Sequence, residues 1–144
     1  MTTDGARIIR KAETVDLPRI HAIRMAVREN ILSDPSKVTA ADVDWYREQA
    51  IFLVAEDAGE IAGFACANHL TGLIWALFID PAQEGRGHGR ALLDTALAGL
   101  KAAGHAQAWL ETGAGTRAER FYLRHGWRDM GRGLDRQIVF TRLL

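Results

Sequence analysis

The 144-residue chain has one cysteine, three prolines and no surplus of charge, its 18 basic residues being matched by 18 acidic ones. Each shortage excludes something. A single thiol cannot form an internal disulfide, and the apolar neighbours of Cys66 in IAGFACAN favour a small buried side chain over a nucleophile or metal ligand. Zero formal net charge removes the global field that draws a protein to nucleic acid or an anionic membrane, so neither partner is expected and any anion site must be local. No apolar run approaches the roughly 20 residues of a membrane span, and the opening MTTDGARIIRKAE lacks the apolar core of a signal peptide, so a cytoplasmic location is expected. The histidines at 21, 69, 88, 105 and 125 show no paired spacing with Cys, Asp or Glu that would assemble a metal site, and no metal is expected. Repeats and low-complexity stretches are missing too, and the length suits one compact domain over residues 1–144.

What is present alternates between two periods. Arg7 to Ala12 reads as a strand, and Asp16 is placed to cap a helix whose Leu17, Ile20, Ile23 and Val27 recur at helical spacing to about Asn30. After the turn at Ser33 to Ser36, Thr39 and Asp42 resemble a capping box that opens a second helix through Trp45 and Tyr46. Ile51 to Asp57, Glu60 to Asn68 and Gly72 to Asp80 are rich in branched and aromatic residues and separated by short turns, which predicts an antiparallel meander. Leu92, Leu93, Ala96, Leu97 and Leu100 then mark one face of a helix stopping near Gly104. A strand (Ala106 to Thr112), a helix (Arg117 to His125, ended by Gly126) and two strands (Trp127 to Gly131, Arg136 to Leu144) follow. The order β-α-α-β-β-β-α-β-α-β-β is that of a mixed α/β sheet.

The stretch EGRGHGRALL, Glu84 to Leu93, opens its helix with glycines where a Ser, Thr, Asp or Asn cap is usual, leaving the first amides without partners of their own. Gly85, Gly87 and Gly89 allow close backbone approach and unusual conformations, so successive amides can converge on a phosphate at the positive helix end. A tight ligand-free turn would show the same spacing. The stretch has neither the Gly-Lys-Ser/Thr ending of a nucleoside-triphosphate loop nor the third glycine spacing of the dinucleotide fingerprint.

LFIDPAQEGRGHGRALL resembles the acyl-CoA signature Q/R-x-x-G-x-G/A of the GNAT superfamily of N-acyltransferases, and AERFYLRHGW (Ala118 to Trp127) resembles that family's second signature. The element order is also the family's. The resemblance implies a mostly antiparallel mixed sheet flanked by helices, and a strand at Leu77, Phe78 and Ile79 whose amides pair with the pantetheine arm of acetyl-CoA. It further implies a pyrophosphate cradle at Gly85, Arg86, Gly87, His88, Gly89 and Arg90, and a primary amine as acceptor. Two departures stand out: Glu84 replaces the motif's Gln or Arg and must point away or pair with an arginine, and Gly115 replaces a frequent Asn.

Acyl transfer to an amine requires a neutral nucleophile, oxyanion stabilisation and a proton for the leaving thiolate. The resemblance gives Tyr122 the last role, and a phenol of pKa near 10 is a plausible donor to a thiolate of pKa near 8.5; a packed surface tyrosine is the plainer alternative. For a general base the candidates are Glu29, Asn30, His69 and Glu111, with Glu29 and Glu111 preferred and proton loss through water also compatible. The six arginines between Arg117 and Arg136, against Glu119, Asp129 and Asp135, are a local excess of three positive charges that reads first as a solvated helix face, with help in holding CoA phosphates as the alternative. Trp45, Tyr46, Trp75 and Trp109 suit either an acceptor pocket or the core. A regulatory module that binds acyl-CoA without turnover is the alternative to an enzyme. The acceptor, which could be a small molecule or a peptide, and the oligomeric state, a homodimer included, are left open.

Overall fold

A computed structural model describes residues 7–27, 45 and 50–144. Seven strands form one sheet in the order β1-β2-β3-β4-β5-β7-β6: β1 (Arg7–Lys11), β2 (Ile51–Asp57), β3 (Glu60–Asn68), β4 (Leu73–Ile79), β5 (Gln107–Thr112), β6 (Arg128–Arg132) and β7 (Ile138–Leu143). All neighbours are antiparallel except β4 and β5. The expected meander is therefore present as β2-β3-β4. Its first hairpin closes on Ala58 and Gly59, with φ of 53° and 85°, the pair of left-handed residues that matches the twist of a two-residue turn.

Among the described residues three complete helices flank the sheet: α1 (Leu17–Ala26), α2 (His88–Ala102) and α3 (Arg117–Arg124). Ile20 and Ile23 of α1 pack on Phe52, Val54, Phe64, Cys66 and Ala76 on one face. Leu93, Ala96, Leu97 and Leu100 of α2 pack with Ala108, Leu110, Ile138 and Phe140 on the other, while Leu92 covers Ala55 and Ala65. All five apolar positions read from the sequence of α2 are thus buried. Cys66 is fully buried in a strand, and burial pushes its thiol well above the ordinary value.

The start of α1 differs from expectation. Asp16 makes no cap bond to it. The carboxylate closes a preceding 3₁₀ turn, accepting from the Glu13 amide at 2.8 Å, and receives both Nη groups of Arg10 at 2.8 and 3.0 Å. A bidentate guanidinium is a stronger partner than one helix amide, and it holds the Asp16 carboxyl below the usual range. Val27 also leaves the helix, with extended backbone at ψ 95°. Of the second expected helix only Trp45 is described, and it is helical; Glu29, Asn30 and Tyr46 lie outside the described residues. Among the described residues no helix is long and apolar enough to cross a membrane.

Candidate functional site

The sheet opens in the middle. β4 and β5 share a single pairing, Leu73 with Trp109, so among the described residues Leu77, Phe78 and Ile79 pair with β3 on one side and with no strand on the other. A bulge contributes: Cys66 pairs with Ala76 but Ala67 with Ile74, so Trp75 is one residue too many on β4 and bends the strand. The free edge at Leu77, Phe78 and Ile79 forms one wall of a groove of about 860 Å³, and Ala118, Phe121 and Tyr122 of α3 form the opposite wall.

At one end of this groove lies the start of α2. Gly87 is its N-cap residue, at φ 84° and with no side-chain bond to the helix, whereas α3 is capped by Thr116, whose hydroxyl accepts from the Glu119 amide at 3.2 Å. The difference is local chemistry, not helix length: glycine has no oxygen to offer. Gly85, Gly87, His88, Gly89 and Arg90 all line the groove, and the chain turns there through left-handed φ of 77° at Gly85 and 84° at Gly87, conformations that glycine adopts without strain. Three further polar atoms here are buried without a hydrogen-bond partner, Oε1 of Gln83 and both ring nitrogens of His88, with Asp57 Oδ2 3.4 Å from the His88 Nε2. Burial, then the nearby Arg7 charge, holds the His88 imidazole below its usual range, and it is neutral at physiological pH.

Supporting contacts fix the loop. Asp80 accepts from the Ala82 amide at 3.0 Å and from Arg19 of α1, whose Nε also donates to the Ile61 carbonyl at 3.2 Å. Arg7 of β1 donates to the Arg86 carbonyl, and a Cβ at Gly87 would lie 3.3 Å from Arg7 Nη2. Neither Arg7 nor Arg19 carries a signal in the linear pattern, because each reaches the loop from an element far away in sequence. Glu84 does pair with an arginine, donating Nη1 being that of Arg117 at the start of α3. Arg86 itself is exposed, and only its backbone is engaged in the loop contacts described.

Tyr122 is 6% exposed and lines the groove. Its ring packs edge-on against Trp127 and Phe121 at centroid distances of 5.5 and 5.3 Å, and against Phe140 at 5.9 Å. Burial pushes its phenol well above the usual value, so the hydroxyl keeps its proton at any physiological pH. Glu111, by contrast, is exposed on β5, near Gly133, and does not line the groove. His69 accepts through its carbonyl from the His105 ring at 2.5 Å, and Trp109 donates Nε1 to the Thr71 carbonyl at 3.1 Å, so both serve to close the narrow end of the strand pair.

Residues 10–127 match the model of the acetyltransferase (GNAT) family. Similar solved structures include a GCN5-related N-acetyltransferase from Rhodopseudomonas palustris (18% identity, TM-score 0.81, covering 100% of this chain and 99% of that one). They also include the PaiA N-acetyltransferase of Thermoplasma acidophilum in complex with coenzyme A (16%, 0.76, 96% and 99%) and the ribosomal-protein-S18-alanine N-acetyltransferase of Escherichia coli (23%, 0.70, 94% and 90%). No protein of curated function matches.

Proposed function

Because the chain belongs to the GNAT acetyltransferase family, we propose that it transfers an acetyl group from acetyl-CoA to a primary amine by direct attack. The observation that carries this reading is the uncapped start of α2 opening into a groove walled by an unpaired strand edge and by Tyr122. The amides of His88, Gly89 and Arg90 would receive the pyrophosphate at the positive helix end. The free edge at Leu77 to Ile79 would pair with the amides of the pantetheine arm as an added strand does, leading the thioester to Tyr122.

In the reaction a C–N bond forms as the C–S bond breaks. The nitrogen gives up its surplus proton, and the leaving sulfur takes the proton of the Tyr122 hydroxyl, which is then restored from solvent. Burial makes this phenol a weaker acid, but the same desolvation makes a thiolate developing beside it a stronger base, which favours sharing the proton between them. Glu29 and Glu111 are the residues proposed for the base. Since Glu111 stands off the groove, a proton reaching it would pass through water.

The test is thiol release from acetyl-CoA that depends on an added amine, with the acetylated product identified by mass spectrometry from a mixed panel of polyamines, amino acids, amine antibiotics and peptides. Amine-dependent release is expected. Tight acetyl-CoA binding with no turnover across the panel would overturn the enzyme reading in favour of a regulatory module that senses acyl-CoA.

A further inference from the structure

Beyond the groove's phosphate end lies a second depression, about 580 Å³, lined by Arg90 and Asp94 of α2, Arg124 and His125 of α3 and Arg142 of β7. Arg90, Arg124 and His125 line both spaces, so the two are continuous. Three guanidinium groups here face one carboxylate, a surplus of two positive charges contributed by three separate elements of the fold. Asp94 approaches Arg90 only at 3.8 Å, with both side chains exposed, a pair of little strength. Among the described residues neither Arg124 nor Arg142 has a carboxylate partner. A solvated helix face, the plain reading of the arginine run in α3, does not account for Arg90 and Arg142 converging on it from another helix and a strand.

Like charges are gathered at a cost unless an anion offsets them. We propose that this depression is a binding site for a phosphate monoester, the 3′-phosphate on the ribose of coenzyme A, and that it makes the protein selective for CoA over its 3′-dephospho form. The inference rests on the acyl-CoA reading and deepens it. A 3′-phosphate carries about −1.5 to −2 charges near pH 7, matching the surplus of two, and it is joined to the pyrophosphate through one ribose. Arg90, in the first turn of α2, stands between the two subsites. The His125 imidazole, 4.3 Å from the Phe121 ring centroid, is held below its usual range by burial first and then by Arg90 and Arg124, so the pocket offers it as a neutral group that an arriving phosphate would favour protonating.

The experiment is calorimetry of the full chain with CoA, 3′-dephospho-CoA and 3′,5′-ADP, for the native protein and for Arg124→Gln and Arg142→Gln. Loss of charge-assisted hydrogen bonds to one phosphate predicts that the native protein binds CoA at least about tenfold more tightly than 3′-dephospho-CoA. Arg142→Gln, outside the groove lining, should lose much of that ratio while its affinity for 3′-dephospho-CoA stays unchanged; Arg124→Gln, which lines both spaces, should weaken CoA by a larger factor than 3′-dephospho-CoA, and 3′,5′-ADP should compete with CoA. Equal binding of the two coenzyme forms by the native protein, which needs no variant to fold, would overturn the 3′-phosphate site and leave the acyl-CoA groove standing. Binding of neither form would overturn both. A variant that weakens both ligands alike would assign the arginine to the groove in general and overturn its role here.

Discussion

Gly87 and Gly89 lie two residues apart in the same loop, yet alanine at the two positions should act in opposite directions. Gly87 has φ 84°, and a Cβ there would sit 3.3 Å from Arg7 Nη2. Alanine in the left-handed region costs about 1–2 kcal/mol, and since unfolding entropy is about 2.1 cal/mol/K per residue, the melting temperature of a chain this size should fall by about 3–7 °C. Gly89 is already within α2, without a positive φ, and its added Cβ would meet Ile79 Cγ1 at 3.6 Å and the Phe121 ring at 3.7 Å, ordinary contact distances. Gly89→Ala should therefore fold normally, with a helix-propensity gain of at most about 1 kcal/mol. Ligand binding separates the two further. Gly87→Ala must shift the amides it directs, and losing one charge-assisted hydrogen bond of about 1.5–3 kcal/mol weakens CoA by about tenfold or more. Gly89→Ala should keep binding, whereas Gly89→Leu, filling the gap between Ile79 and Phe121, should abolish binding and leave the melting temperature near that of the native protein. Differential scanning calorimetry and titration with CoA on the same samples give both readouts. If Gly87→Ala and Gly89→Ala shift stability and affinity alike, the amides at the start of α2 are not the cradle.

Tyr122→Phe retains the ring contacts with Trp127, Phe121 and Phe140, so thermal stability and KM for acetyl-CoA should hold while kcat falls by about 10²–10⁴-fold; unchanged turnover would make Tyr122 a packing residue. Because burial raises the Tyr122 phenol, the pH–rate profile should also show no loss from its ionisation up to about pH 10, its value in water. Urea unfolding should register His88: the native imidazole stays neutral while the unfolded one takes a proton near pH 6.5, so the unfolded state binds more protons below that point and stability falls from pH 7.5 to 5.5. His88→Gln should reduce that difference and leave the part due to His125, whose imidazole is also held low, since the Asp16 carboxylate, lowered chiefly by Arg10, loses its contribution only below about pH 4.

The elements whose identity is local were legible in the sequence. β2 and β3 begin and end where their branched runs meet the turn at Ala58 and Gly59, and the apolar stripe of α2 is buried at each position named from its period. What could not be read is nonlocal. Nothing in Arg128–Arg132 says that β7 will insert between it and β5, and nothing around Trp75 says that it will be the extra residue whose bulge bends β4 beside the open edge. Asp16 shows the same limit on a small scale: as an N-cap or as a partner for Arg10 it satisfies local rules equally well, and only the register of β1 against β2, which aligns Arg10 with Val54 and brings it to Glu56 as well, decides between them. Glycines at 85, 87 and 89 were visible as an uncapped helix start. The arm of Arg7 beneath them was not, because it comes from the far edge of the sheet.

Charge unites the two halves of the site. The whole chain is formally neutral, so whatever attracts an anion must come from arrangement. Around the groove Arg90, Arg117, Arg120 and Arg124 stand against Glu84 alone, a surplus of three positive charges in addition to the uncapped helix end. Glu84 is the discordant residue of the first signature, and its pairing with Arg117 reduces the repulsion a bare carboxylate would exert on a pyrophosphate. That pairing also fastens the loop before α2 to the first turn of α3, the two walls between which a bound arm would run. Since the whole chain sums to zero, a surplus of three positive charges at the groove leaves the remainder with a net charge of minus three, so a multiply charged anion is drawn to the concavity, and screening sets the range of that attraction at about 8–10 Å in physiological salt. The positive concavity is therefore built by folding, from arginines of α2, α3 and β7 that no linear count of charge would have brought together.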